Sequence, residues 1–474
     1  MIGSTAHQSA LFYLPLASQL SLIKDDLLEA VDSLLDDEAL VDLVRERLAG
    51  RCRRSALTGR PGIAPDRLLR CCVLKHLKGW SFRELERELR SNLLYRRFTR
   101  FDADPTPNYA TFSRNFAVLG PEVVQRLHAR VVGRAREEQI ATGRKLRTDT
   151  TVVETNIHHP SDSSLLGDGV RVLTGHLKRL LGECQDGAFA VAEHTRAVKH
   201  RLLEIGRAAK SSSEASRERL KESYRKLVDV TSGVVRQAKK VLGKWHEGQL
   251  GVIGSTTQAL RQVACLEHYL PLVEKVIDQT RQRVFEGDRH VPGKVLSLFE
   301  PHSQVIRKGK PHKPTEFGRL VRLDEVEAGI IGQYEVLEGN PPDTGALLPA
   351  VRQSVALFER PPSLVTADRG YFSARNEKQA EDLGVEHVAV PGRGRLSASR
   401  AKRQKQRWFQ RALRWRAGVE ARIATLKHRF GMLRAMYKGE EGFERYVGWC
   451  VITQNLVCIA RQQVRREAQR CRRS

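Results

Sequence analysis

Lys145-Leu146-Arg147-Thr148-Asp149-Thr150-Thr151-Val152-Val153-Glu154-Thr155-Asn156 decides how the chain is read. The run 145–153 is rich in β-branched residues and predicts a strand, with a carboxylate, Asp149, inside it. Far along the chain, Ser363-Leu364-Val365-Thr366-Ala367-Asp368 predicts a short buried strand that ends on a second carboxylate, directly before Arg369-Gly370-Tyr371. Between these strands, after 158–164 and through about residue 283, the pattern is long helices of mixed charge with turns at 211–214 and 243–251. That pattern suggests antiparallel helices or a coiled-coil arm. From Thr315 onward, 316–323 and 329–337 predict a hairpin. Then follow a loop at 339–343, a helix at 346–359, the 363–368 strand, a helix at 373–383 and a strand at 386–391. A basic loop, 393–407, leads to a helix at 408–429, and 442–470 predicts a last helix with a basic tail, 465–473. Strands alternating with helices make an α/β fold with a mixed sheet, here interrupted by an all-α insertion.

The N-terminal part is all-α. Residues 20–50 carry apolar positions at helical spacing (Leu27, Leu28, Val31, Leu34, Leu35, Leu40, Leu43, Val44). After a Pro/Gly break at 60–65 come a helix at 67–78 and a start signal at Ser81, with Glu84 placed to complete a capping box. Residues 81–98 continue as a basic amphipathic helix bearing Arg83, Arg87, Arg90, Arg96 and Arg97. Two helices around Gly79-Trp80 suggest a helix-turn-helix-like unit, although a small helical bundle fits as well. A turn at 102–107 and a helix at 111–140 complete it. The organisation expected is a helical DNA-facing domain over 1–140, a sheet domain over 141–162 and 300–440, a helical insertion over 163–299, and a C-terminal helix and tail over 441–474.

Composition narrows the function classes. The 474 residues contain 81 Lys+Arg against 55 Asp+Glu, a formal charge of +26. Such a surplus creates an outward positive field whose usual partner is nucleic acid first and an anionic membrane surface second. A ribosome-associated or simply basic protein is the plainer account. Hydrophobic residues at 41% allow a real core. No uncharged apolar run reaches the length of a membrane span. The apolar stretch 11–22 lacks a basic leader and a small-residue cleavage site, so no secretory signal is expected. The eight Cys are scattered without a CxxC pair, which argues against a zinc ribbon or disulfide scaffold and for a reducing cytoplasm.

Three acids stand out by position: Asp149 in the first strand, Asp368 at the end of a central strand, and Glu420 on a helix dense in Arg, Lys and Trp. Functional groups gather at the carboxyl ends of strands in open α/β sheets. Phosphodiester cleavage is well served by two hard cations about 3.5–4 Å apart on oxygen ligands. Taken singly, an Asp at a strand end is more often a cap or turn residue, and a Glu four residues after an Arg is usually an ion pair. Arg416, Glu420 and Lys427, spaced i, i+4, i+11, fall on one side of their helix. Other features have plainer accounts. His158 and His159 suggest a transition-metal site, but with no second cluster they read as loop residues, and Asp162 fits a helix N-cap at least as well as a contact with the active site. Glu154 lies on the strand face opposite Asp149 by parity. Trp408 and Trp415 are more often core than base-stacking platforms. The 393–407 run is a solvated loop that clamps DNA backbone, and its Gly392-Arg393-Gly394 matches no phosphate cradle.

With these blocks in view, the sequence resembles the DDE transposases of bacterial insertion sequences. Residues 58–127 look like their N-terminal helical domain. Residues 149–156 followed by His159-Pro160-Ser161-Asp162-Ser163 resemble their first-Asp strand and its exit, and Ala367-Asp368-Arg369-Gly370-Tyr371 the second-Asp block. Arg416-x3-Glu420-x6-Lys427 is similar to their Tyr-x2-Arg-x3-Glu-x6-Lys signature, with Leu413 at the Tyr position. The insertion also departs from some relatives, which place theirs before the catalytic Glu. The resemblance implies a ribonuclease-H-like sheet in which Asp149, Asp368 and Glu420 are catalytic and bind two Mg²⁺, with Mn²⁺ able to substitute. It implies cleavage at inverted terminal repeats of double-stranded DNA and transfer of the 3′-end into target DNA. Arg416, Lys427, Arg369, Arg83, Arg87 and Arg90 would contact DNA, in a cytoplasmic, nucleoid-associated homodimer or higher homo-oligomer that needs no membrane. A ribonuclease-H-like nuclease without strand transfer, and an inactive DNA-binding derivative, are the alternatives.

Overall fold

β1 (Lys145–Thr155) is the centre of a mixed sheet in a computed structural model that describes residues 24–51, 62–102, 104–185, 191–288, 290–307 and 315–472. The 11–22 stretch, Cys52 and the start of the 60–65 break lie outside the described residues. The chain forms two compact units, Met1–Asn156 with Ile306–Ser474, and Ile157–Val305.

In the first unit, β1 pairs antiparallel with β3 (Glu316–Glu325), which pairs antiparallel with β4 (Ile331–Leu337). On its other side β1 pairs in parallel with β5 (Leu364–Thr366), and β5 with β6 (His387–Ala389). Across the sheet the order is β4, β3, β1, β5, β6. A short β2 (Gln304–Ile306) and a two-residue β7 (Arg434–Ala435) also belong to it, β7 running parallel to the end of β1. The register places Arg147 opposite Thr366. Two residues further on each parallel strand, the chain brings Asp368 level with Asp149.

The N-terminal helices are shorter than the periodicity suggests, because polar side chains cap them internally. The 20–50 pattern divides into α1 (Asp26–Leu34) and α2 (Glu38–Ala49), where the Asp37 carboxylate accepts from the Ala39 amide and restarts the helix. α3 (Pro65–Lys78) ends on Gly79 in the left-handed conformation at φ 67°, and α4 (Phe82–Ser91) begins with both bonds of the Ser81/Glu84 capping box. The 81–98 helix breaks at Asn92, whose side chain caps α5 (Leu93–Phe98). The 111–140 helix divides at Gly120-Pro121 into α6 (Tyr109–Val118) and α7 (Pro121–Glu137).

α12 (Leu347–Phe358) and α13 (Ala374–Asp382) follow the hairpin and β5. α14 (Ala398–Lys405) and α15 (Arg407–Arg429) follow β6, and α16 (Glu440–Cys471) closes the chain. The 393–407 segment therefore contains a helix and is not only a loop. Ser397 caps it, and Arg400 anchors it through Glu377 at 2.5 and 2.6 Å. α16 is buried from Gly442 to Ala460 and packs against α1, α3 and α7 as well as β4. Its Asn455 side chain accepts from the Ile331 amide and donates to the Ile331 carbonyl, both at 2.8 Å. One hydrophobic core joins Leu69, Phe116, Val124 and Trp449 to sheet residues Val321 and Val365. The sequence reading separates 1–140 and 441–474 from the sheet. The shared core makes them one unit, because α16 is apolar on more than one side and buries each side against a different layer.

The second unit has its own core, including Leu166, Leu173, Leu227 and Val273, formed by α8 (Asp162–Glu183), α9 (Thr195–Ala208), α10 (Glu214–His246) and α11 (Thr256–Val284). Gly169 lets α8 approach α11, since a Cβ there would stand 2.9 Å from Val273. Ser161, not Asp162, is the α8 N-cap. Asp162 is buried and bonded to Arg283 at 2.7 Å and Gln279 at 3.3 Å, tying the start of α8 to the end of α11. Among the described residues no helix is long and apolar enough to cross a membrane.

Candidate active site

Strand parity puts Arg147 and Asp149 on one face of β1, and Arg147 docks α15 against that face. Its guanidinium donates to Glu325 on β3 at 3.0 and 2.5 Å and to the Trp415 carbonyl on α15, and lies 4.7 Å from the centre of the Trp415 ring. Arg422, two turns along α15, donates to the same Glu325 carboxylate at 3.4 Å. Glu325 and Arg147 are almost fully buried. Gly418 permits the approach, because a Cβ there would meet the Arg147 Nη1 at 2.7 Å. A buried ion pair held by additional hydrogen bonds specifies one register of α15 on the sheet.

On the helix so placed, Arg416 and Glu420 occupy successive turns. The Arg416 Nη2 lies 3.7 Å from the Asp149 Oδ2 and 3.7 Å from the Asp368 Oδ1, and its Nη1 lies 3.6 Å from the Glu420 Oε1. Three acids remote in sequence therefore converge on one guanidinium. Asp149 is the most enclosed, at 17% side-chain exposure, with Asp368 at 53% and Glu420 at 70%. The Asp149 Oδ1 accepts from the Thr150 amide at 2.8 Å and the Asp368 Oδ1 from the Arg369 amide at 2.7 Å, which orients both carboxylates. The Arg416 Nε is buried and has no hydrogen-bond partner among the described residues.

This donor set fits hard divalent cations. All three groups are carboxylates, the oxygen donors such cations prefer, and an oxygen of each lies within 3.7 Å of the same guanidinium. Among the described residues no three acidic, His or Cys side chains already stand in metal-ligand geometry. The guanidinium spaces them at ion-pair distance.

A supporting layer lies around the triad. Thr150, on the other face of β1, donates to Asp343 at 2.8 Å, and Gly370 is held so near Asp343 that a Cβ would stand 2.8 Å from its Oδ2. Arg393 grips the turn after Asp368 through the Arg369 carbonyl at 3.0 Å and the Gly370 carbonyl. Burial first, and then the Asp149 and Asp343 charges, push the Tyr371 hydroxyl well above its ordinary range, so it stays protonated beside the acids. Sequence reasoning missed Arg147, Glu325, Asp343 and Arg393. Only Arg147 carried a signal, as a cation two residues before Asp149 on the same strand face.

The other singled-out residues fall as follows. Lys427 is half-buried on α15 and Arg369 is exposed beside Asp368. Arg83, Arg87 and Arg90 are exposed on α4. There Arg83 lies 4.6 Å from the Tyr109 ring centre, Arg87 pairs with Glu88 at 2.9 Å, and Arg90 with Glu86 at 2.6 Å. No ion pair among the described residues joins these three to the carboxylate cluster. Glu154 pairs with Arg434 at 2.8 Å, and His158 is exposed near Asp168 at 3.9 Å. Trp408 stacks on His387 at 4.5 Å and Leu413 packs beside Phe409, both as packing residues.

Two family models match the chain. One, described as a transposase domain (DUF772), covers residues 17–117, and the other, described as a transposase DDE domain, covers residues 325–456. Asp368, Arg416, Glu420 and Lys427 fall inside the second match, which begins on Glu325. Asp149 and the insertion fall outside both. No curated protein and no solved structure matches.

Proposed function

We propose, from the premise that this chain is a DDE transposase of the insertion-sequence type with a ribonuclease-H-like catalytic domain, that it cuts DNA strands at inverted terminal repeats and joins the freed 3′-ends to target DNA. The observation that carries this reading is the convergence of Asp149, Asp368 and Glu420 on the Arg416 guanidinium. These three carboxylates would hold two divalent cations such as Mg²⁺, which when bound supply Lewis-acid polarisation of the phosphate and lower the pKa of a nucleophilic water.

The protein's own groups do the rest. Asp149 and Asp368 are each oriented by the backbone amide of the next residue. Glu420 enters from α15, whose position is fixed by Arg147, Glu325 and Arg422. Arg369, next to Asp368, and Lys427, two turns beyond Glu420 on the same side of α15, would grip phosphate oxygens on the strand being cut. Arg416, released from the carboxylates, takes the same role. Asp368→Asn removes one charge and one ligand oxygen. It abolishes cleavage and strand transfer on end-bearing duplexes in Mg²⁺ or Mn²⁺ and leaves duplex binding in place. Strand transfer by that variant would refute the reading. Wild-type protein given pre-cut ends produces joined product, and release of ends without joining would mark a nuclease instead.

A further inference from the structure

Between Glu386 and Glu420 the chain has no acidic residue, although acids make up 55 of its 474 residues, and that span carries ten Lys and Arg. Apart from Arg395, which is exposed in the segment before α14, the structure sorts these cations into two groups. Some are structural: Arg400 bonds Glu377, Arg403 pairs with Glu381 at 3.1 Å, Arg393 holds backbone carbonyls, and Arg416 sits among the triad. The others, Lys402 and Lys405 on α14 and Arg407, Arg411 and Arg414 on α15, are exposed, with no ion-pair partner among the described residues.

On α15 the unpaired arginines form a stripe. Arg407, Arg411 and Arg414 are spaced i, i+4, i+7, which stacks them along about 10 Å of one helix face. Arg407 to Arg416, and Arg411 to Glu420, are each nine residues apart, which at 3.6 residues per turn is two and a half turns. The stripe therefore faces away from the side that carries the catalytic pair. Phe409, Ala412 and Val419 bury the inner surface of the same helix. Like charges at i, i+3 and i, i+4 destabilise a helix by a few tenths of a kcal/mol per pair. A face that accumulates them with no compensating acid suits a polyanion better than it suits water.

We infer that the outer face of α15, built from Arg407, Arg411 and Arg414, binds the phosphate backbone of a second stretch of duplex DNA, distinct from the strand presented to Asp149, Asp368 and Glu420. The inference rests on the transposase reading for the identity of the polyanion. A straight duplex seated on this stripe does not reach the carboxylates, which lie half a turn round a helix 10–12 Å thick whose inner side is packed on the sheet. Three arginines on a rigid helix, with no acceptor side chain among them, grip phosphates without reading base edges, so the contact is independent of sequence.

The test uses full-length protein in EDTA with a random-sequence duplex that contains no terminal repeat. Affinity is measured against salt for wild type, for the triple variant R407Q/R411Q/R414Q and for the triple Arg→Lys variant. Each phosphate contact contributes about 0.9 to the slope of log K against log salt. The Gln variant therefore binds with a slope shallower by about 2.7 and with at least tenfold weaker affinity at low salt. The Lys variant keeps the wild-type slope, which separates lost charge from lost fold. Mn²⁺ binding, read by calorimetry, is the same in all three proteins, because the stripe is remote from the carboxylates. An unchanged slope in a folded Gln variant overturns the proposal, as does a variant that loses binding to phosphatidylserine vesicles while duplex affinity is unaltered. Failure of the catalytic reading is separable, since it would appear as strand transfer by the Asp368→Asn protein.

Discussion

Replacing Arg416 with Gln should tighten divalent-metal binding, because the guanidinium and the metal ions compete for the same three carboxylates. Its nitrogens lie 3.6 to 3.7 Å from Asp149, Asp368 and Glu420. A pair at about 4 Å is worth about 1 kcal/mol in water and up to about 4 kcal/mol at the effective dielectric of a protein surface. The pairs to Asp368 and Glu420, more than half exposed, belong at or below the lower figure. The pair to the more enclosed Asp149 lies above it. On the proposed function the guanidinium would have to leave this position for ions to enter, so about 2 kcal/mol of its attraction would oppose metal binding. Removing that opposition should increase Mn²⁺ affinity by roughly thirtyfold, at about 1.4 kcal/mol per factor of ten. Isothermal titration with Mn²⁺ on wild type and Arg416→Gln reads the change directly, and an Asp149→Asn protein gives the baseline for a damaged site. The same substitution leaves three acids facing one another without a counter-charge, so the metal-free variant melts at a lower temperature than wild type and recovers on adding Mn²⁺. Equal or weaker Mn²⁺ affinity in a folded Arg416→Gln protein would refute the idea that this arginine holds the cations' place.

Glu325→Gln leaves the buried Arg147 guanidinium without its counter-ion and should cost about 3–5 kcal/mol in urea unfolding. A loss under 1 kcal/mol would show that the network does not position α15. His128 is buried and its Nε2–H donates to the Ile331 carbonyl at 2.9 Å, while burial lowers its pKa to about 4. The unfolded imidazole titrates near 6.5, so the folded protein binds fewer protons between these values. Its contribution is complete above about pH 6.5 and is lost as the pH falls towards 4. Unfolding free energy should fall by about 2 kcal/mol from pH 7 to pH 5 on this account, and His128→Gln should flatten that part of the profile. An unaltered slope in the variant would assign the acid sensitivity elsewhere.

The strands were legible because their signals are local, whereas the three acids that converge on Arg416 were singled out by position and joined as a set only by the family resemblance. Residues 145–153 are rich in β-branched side chains wherever they end up, and Leu364, Val365 and Ala367 lead up to the terminal carboxylate of 363–368. The spacing of Arg416, Glu420 and Lys427 follows from helix geometry alone. What stayed hidden depended on partners distant in sequence. Nothing near Glu325 marks it as the acceptor for Arg147 and Arg422, since it reads as an ordinary charged residue at the end of a hairpin strand. Asp343 lies in a Pro/Gly loop, and its bond to Thr150 exists only because that loop folds back over β1. Helix boundaries were missed for a different reason. Asp37 and Asn92 sit within apolar periodicity that continues through them, and their capping side chains outweigh it locally. The burial of α16 against both the N-terminal helices and the sheet could not be read from one segment, because a helix apolar on several sides does not say what covers each of them.

Three carboxylates brought within reach of one another repel, and that repulsion grows as water is removed from around them. Their convergence therefore cannot be a consequence of the acids themselves, and must be imposed by contacts that do not involve them. Two such sources are visible. The register of β1 with β5 sets Asp149 and Asp368 side by side through backbone hydrogen bonds. The Arg147–Glu325–Arg422 network clamps α15 to the sheet through groups that are themselves largely buried. Glu420 then follows from the helix on which it stands. In this arrangement Arg416 balances the charge of a scaffold that other contacts hold in place. On the proposed function, divalent ions held by the three carboxylates would take over that balancing charge and would leave the guanidinium free to grip a phosphate. The exchange predicts that metal and DNA binding reinforce each other, since the ions release a phosphate-gripping group. Duplex affinity should therefore rise with Mn²⁺ in wild type by more than it does in Arg416→Gln, and equal enhancement in the two proteins would separate the events.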